Sequence, residues 1–143
     1  MPFCHLCLTA ARPLPRSYPQ VLAIIGDHLR RRRLDLGLRQ REVAYRLGVD
    51  TTTVTNWELN RTTPAIRSVP GIILFLGYLP FAAPGSIVQQ LTVTRTVRGL
   101  SRQAAARILD VDPATLWRWE SEQRMPGAAF LARIEAFLGL VAE

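Results

Sequence analysis

Apolar positions fall at helical spacing in four successive blocks of this chain. Leu22, Ile25, Leu29 and Leu36 share one face and predict a first helix, which Gly37 stops. Arg39 to Leu47 carries Val43, Ala44 and Leu47 at the same period and predicts a second, followed by Gly48 where a sharp turn needs positive φ. Asp50 is a good N-cap for a third helix over Thr51 to Glu58. Val54 and Trp57 face inward on it, and Thr51, Thr52, Thr55 and Asn56 are left outside. Pro64 opens a fourth, whose apolar stripe is Ile66, Val69, Ile72, Ile73 and Leu76; Pro70 within the stripe predicts a bend or a late start.

The whole pattern recurs 62 positions later without a gap. Leu29 falls on Leu91, Arg33 on Arg95, Gly37-Leu38 on Gly99-Leu100, Ala44 on Ala106 and Leu47 on Leu109. Val49-Asp50 falls on Val111-Asp112, Trp57-Glu58 on Trp119-Glu120, Pro64 on Pro126, and Phe75-Leu76-Gly77 on Phe137-Leu138-Gly139. Core, turn and cap positions match while the residues between them diverge, as two copies of one scaffold with different surfaces should. Ser101 and Asp112-Pro113 are strong starts for the second and third helices of the later copy. Leu91 to Val97 alternates like a strand and is rich in β-branched residues, but the repeat sets it on the first helix, and helix is the reading adopted. Asp110 stands where the first copy has Gly48, a left-handed turn that Asp tolerates.

The expected organisation is an extended, proline-spaced arm over residues 1–19, a first bundle over 20–79, a turn-rich apolar joint over 80–86 and a diverged second bundle over 87–143. Bundles of about 55 to 60 residues can fold alone, though marginally. A formal charge of +7 favours an anionic partner, and double-stranded DNA or RNA is the commonest for a small basic helical chain. The bias lies in the arm and first copy: the arm adds Arg12 and Arg16 with no acid, residues 19–79 hold nine arginines and five acids, and residues 80–143 hold seven and six. All 18 basic residues are arginine, which suits phosphate and guanine but also follows from a GC-rich genome.

Other classes find little support. The start lacks the basic and apolar regions of a secretory leader, so a cytoplasmic location is expected. The uncharged stretch from Ser68 to Thr94 is broken by Pro70, Gly71, Gly77, Pro80, Pro84 and Gly85, which argues against a membrane span. Cys4, His5 and Cys7 cluster without an evident fourth ligand, so no metal is expected. No phosphate loop, nucleophile elbow or histidine constellation suggests an enzyme, and no cofactor is implied. His5 and His28 read as unpaired surface residues.

The run Gln40-Arg41-Glu42-Val43-Ala44-Tyr45-Arg46-Leu47-Gly48-Val49, with the threonines after it, Val54, Trp57-Glu58, Asn60-Arg61 and Pro64, resembles the Cro and lambda-repressor-like (XRE family) helix-turn-helix proteins. Arg102 to Leu109, Val111, Leu116, Trp119-Glu120 and Pro126 repeat the resemblance less closely. It implies an all-α fold of two tandem bundles, five helices in each, with the third helix entering the DNA major groove. It also implies that Arg33 with Glu58, and Arg95 with Glu120, are ion pairs tying first helix to third.

On that frame Thr51, Thr52, Thr55 and Asn56 are placed to read base edges: Asn can pair with adenine, and threonine offers a hydroxyl and a methyl. Arg39, Gln40, Asn60 and Arg61 are placed for phosphate. In the second copy the exposed positions are Pro113, Ala114, Trp117 and Arg118, so base contacts are sparse. Arg102, Arg118 and Arg124 suit phosphate, while Trp117 suits either a protein contact, including a second copy of the chain, or DNA sugars. Arg30 to Arg33 fan around their helix, so only some can face one partner. The expected function is sequence-specific DNA binding by a bacterial-type transcription regulator, with repression the familiar mode; the alternative is a protein-binding adaptor or an antitoxin-type autorepressor on the same fold.

Overall fold

The computed structural model describes residues 18–139. Arm residues 1–17, with Cys4, His5 and Cys7, lie outside the described residues. Among those described there are eight α-helices and no strand: α1 (Ile25–Asp35), α2 (Gln40–Leu47), α3 (Thr51–Glu58), α4 (Val69–Leu76), α5 (Ile87–Val97), α6 (Arg102–Leu109), α7 (Pro113–Glu120) and α8 (Ala128–Gly139). Each copy thus has four α-helices where five were expected. The first adds only a single 3₁₀ turn, Ile66–Ser68.

Two cores hold them. Leu29, Val43, Ala44, Val54, Trp57, Ile72 and Leu76 pack together in the first copy. Val88, Leu91, Ala105, Ala106, Leu109, Leu116, Trp119, Ile134 and Phe137 pack in the second. The strand-like segment is helical: Val88, Leu91 and Arg95 are buried at helical spacing, and the Thr92 and Thr96 hydroxyls donate to the carbonyls of Val88 and Thr92. Burial on one face and these local bonds override the β-branched propensity.

The helix ends explain the sharp turns. Gly48 (φ 67°) ends α2 and Asp110 (φ 54°) ends α6, both left-handed. The turn closes alike in both, with Val49 N–H on the Ala44 carbonyl and Val111 N–H on that of Ala106. Ser86, Ser101 and Asp112 accept from backbone N–H groups as N-caps. Asp50 occupies the N-cap position of α3 in extended conformation, but its side chain makes no capping bond. Pro64 does not open the fourth helix. The chain makes the 3₁₀ turn first and α4 begins at Val69, which puts Pro70 in its first turn where no N–H is missed.

Candidate nucleic-acid interface

Glu58, almost wholly buried at the C-terminal end of α3, organises the first copy. Arg33 on α1 grips it with two bonds, Nε to Oε1 at 2.6 Å and Nη2 to Oε2 at 2.8 Å, while its Nη1 donates to the Leu38 carbonyl at 3.1 Å. Gln40, the first residue of α2, donates from Nε2 to Glu58 Oε2 at 2.9 Å and accepts from the Thr55 hydroxyl at 2.9 Å. One carboxylate therefore fixes α1, the start of α2 and the middle of α3. No buried side-chain polar atom among the described residues is left without a partner.

The second copy repeats this with one exchange. Arg95 reaches Glu120 at 2.7 and 3.2 Å, and its Nη1 reaches the Leu100 carbonyl at 2.9 Å. Arg102, the counterpart of Gln40, places Nε 2.7 Å from Glu120 Oε2. Glu120 is thus held by two guanidinium groups, and Arg102 is engaged within the protein although half exposed.

A second link ties the end of α3 to the start of α1. Asn60, left-handed at φ 58°, donates from Nδ2 to Asp27 Oδ1 at 3.0 Å. Burial opposes charge on Asp27, but the donors Asn60 Nδ2 and the Ile24 and Ala23 N–H groups outweigh it and hold the carboxyl below its ordinary value. Gly26 lies directly beneath: a Cβ there would collide with the Trp57 carbonyl oxygen and come within 2.5 Å of Asn60 Oδ1. In the second copy the roles reverse, with Gln89 donating to Glu122, also left-handed at φ 58°, at 3.4 Å. Sequence reasoning missed this link, yet the repeat carried its signal, an acid and an amide 33 residues apart in both copies with their order exchanged.

The exposed residues then fall into place on this frame. Thr51 and Thr52, in the first turn of α3, are exposed; Thr55 and Asn56 are partly covered. The Thr55 hydroxyl is directed to Gln40 and the Thr51 carbonyl, 3.0 Å away. Arg39 and Arg61 are exposed and their side chains have no partner among the described residues, whereas Gln40 and Asn60 are turned to Glu58 and Asp27. The arginine run divides: Arg31 bonds and stacks on Tyr18, Arg32 donates to the Phe75 carbonyl at the end of α4, and Arg33 takes Glu58. His28 is not unpaired. It is half-buried with Nδ1 2.8 Å from the Tyr78 hydroxyl, and burial pushes its pKa below the ordinary value against the pull of Asp27.

On α7, Pro113, Ala114, Trp117 and Arg118 are exposed, Trp117 at 43%. Arg124 is exposed in the loop that follows. Among the described residues, no group of His, Cys, Asp and Glu could hold a metal ion, and no helix is long and apolar enough to cross a membrane.

A model of a family described as helix-turn-helix matches the chain twice, over residues 29–81 and 95–142. No curated protein and no solved structure matches it. The two matches take in well over half of the chain and contain both helix–turn–helix pairs, α2–α3 and α6–α7. The chain belongs to the XRE-type helix-turn-helix family of DNA-binding proteins, in two tandem copies.

Proposed function

We propose that the chain is a sequence-specific transcription regulator whose first copy reads the DNA major groove with α3. The observation that carries this is the first turn of α3: Thr51 and Thr52 stand exposed on a helix braced by the Arg33–Glu58–Gln40 network, with Arg39 exposed at the start of α2 and Arg61 exposed just beyond the C-terminal end of α3. A helix fits that groove, and short polar side chains near its N-terminus reach base edges. Thr51, Thr52 and Asn56 meet bases. Thr55 spends its proton within the protein and keeps its methyl and lone pairs for contact.

Arg39 and Arg61 hold phosphate and set register, assisted by the N–H groups at the start of α2. Gln40 and Asn60 act one step back, fixing the helices that carry these contacts. Arg118 and Arg124 of the second copy add backbone contacts without reading sequence. Selection of duplexes from a random pool by the purified chain tests the reading: an enriched motif of several base pairs supports it, and a pool that stays random contradicts it.

A second reading has one observation in its favour. Trp117 stands where the first copy has Thr55, and its exposure suits a protein contact. Under that reading Trp117→Ala abolishes association with a protein partner and leaves DNA affinity unchanged.

A further inference from the structure

The two copies are joined by a contact that is not returned. α4 of the first packs on α5 of the second. Pro70 and the Ile66 carbonyl cover Gly99, just beyond the end of α5: a Cβ on Gly99 would lie 2.9 Å from Pro70 Cγ and 3.3 Å from the Ile66 oxygen. Val69, next to Pro70 in the chain, is buried yet belongs to neither core. Ala23 and the joint from Pro80 to Pro84 line a cleft with Val88, Thr92 and Val93 of α5.

By the repeat, α5 corresponds to α1, α8 to α4, and Gly99 to Gly37. A two-fold relation between the copies would lay α8 on α1 and cover Gly37 as Pro70 covers Gly99. Gly37 has the same left-handed backbone, φ 65° against 69°, and among the described residues nothing lies within 4 Å of where its Cβ would stand. The contact is therefore heterologous: one face of the first copy meets a different face of the second.

We propose that this clamp makes the DNA segment bound by one chain asymmetric, a statement that rests on the base reading by α3 proposed above. Half-sites of a palindrome require two readers related by a two-fold axis. A heterologous clamp does not supply that relation, and the readers differ besides: Thr51, Thr52, Thr55 and Asn56 correspond to Pro113, Ala114, Trp117 and Arg118. One chain occupies one non-palindromic segment of duplex, with base readout at the α3 end and cationic contact to the backbone at the α7 end. A palindrome takes two chains, each laid on one arm.

The repeat supplies its own control. Gly37→Ala and Gly99→Ala bear the same left-handed strain, and only the second drives Pro70 off its seat; Pro70→Ala loosens the contact without touching a left-handed residue, should Gly99→Ala fail to fold. In the full chain, nitrogen-15 relaxation is expected to give one tumbling time for both copies in the native protein and Gly37→Ala, and two in Gly99→Ala or Pro70→Ala. Duplex selection with complex mass is expected to give one chain per non-palindromic segment, alone or as one arm of a two-chain palindrome. Affinity for that segment should be about tenfold weaker in the loosened variants than in Gly37→Ala, as the second copy's contacts cease to add to the first's.

A palindrome filled by a single chain, separate tumbling in the native protein, or equal affinity in tight and loosened variants overturns the proposal alone. No enriched sequence from a chain whose copies tumble together removes the base reading, and this proposal with it.

Discussion

Arg33→Met and Arg95→Met remove the same bond from two copies of the same frame, and they should not cost the same. Arg33 and Glu58 side chains are 13% and 1% exposed, and without Arg33 the Glu58 carboxylate keeps, among the described residues, only the Gln40 amide. Breaking a buried pair from one side costs about 3 to 5 kcal/mol, because the remaining charge is stranded. Glu120 is nearly as buried, at 5%, but after Arg95→Met it still has Arg102 Nε at 2.7 Å. Its loss is then nearer that of hydrogen bonds to a charged group, about 1.5 to 3 kcal/mol.

Hydrogen exchange in the full chain reads the two copies separately, through the amides of α1 and α5. The first copy should lose more protection in Arg33→Met than the second does in Arg95→Met. Adding Arg102→Gln to Arg95→Met should recreate the first copy's larger loss. Equal losses in the two single variants, or an Arg33→Met no worse than Arg31→Met, would refute the argument that the number of cations on the carboxylate sets the cost.

Gly26→Ala should unfold or strongly destabilise the first copy, because the new methyl meets the Trp57 carbonyl backbone and no flexible group can yield; a melt that loses only a few degrees would contradict the packing described. His28 gives a pH dependence of defined sign. Its folded pKa lies below the ordinary 6.5, so as pH falls through that value the unfolded chain binds the proton first and stability declines until the folded form protonates too. His28→Gln should flatten the stability profile between pH 7 and the folded pKa relative to the native chain, as read by denaturant melts; an unchanged slope would show that other groups govern it. Arg61→Ala should weaken specific and random DNA alike and lower the salt slope by about one unit, and a loss confined to the selected sequence would assign Arg61 to base reading instead.

Much of the fold was legible because the repeat tested each local reading twice. Leu91 to Val97 alone reads as a strand, and only its alignment with α1 made it helical, a choice that burial of Val88, Leu91 and Arg95 explains. Gly48 and Asp110 were legible because a left-handed turn restricts residue type directly. Pro64 misled as a helix start, since a proline tolerated in a first turn marks that turn equally well at Pro70, which lies in the first turn of α4.

In the candidate site, spacing identified positions but not allegiance. Arg39, Gln40, Asn60 and Arg61 read alike as polar groups near an expected phosphate. Yet Gln40 and Asn60 face Glu58 and Asp27, because those carboxylates need donors once buried or capped. The same need draws Arg102 to Glu120. Such tertiary partners leave no periodic trace. The Asp27–Asn60 link left one only in the exchanged pair Gln89 and Glu122.

The central claim, that α3 reads base edges, is tested most directly by the discrimination of Asn56→Ala among single-base variants of the selected duplex. The account predicts that preference at one base pair relaxes by about 1 to 3 kcal/mol while affinity for random DNA stays nearly constant. Equal losses on selected and random duplexes, with no position relaxed, would contradict it.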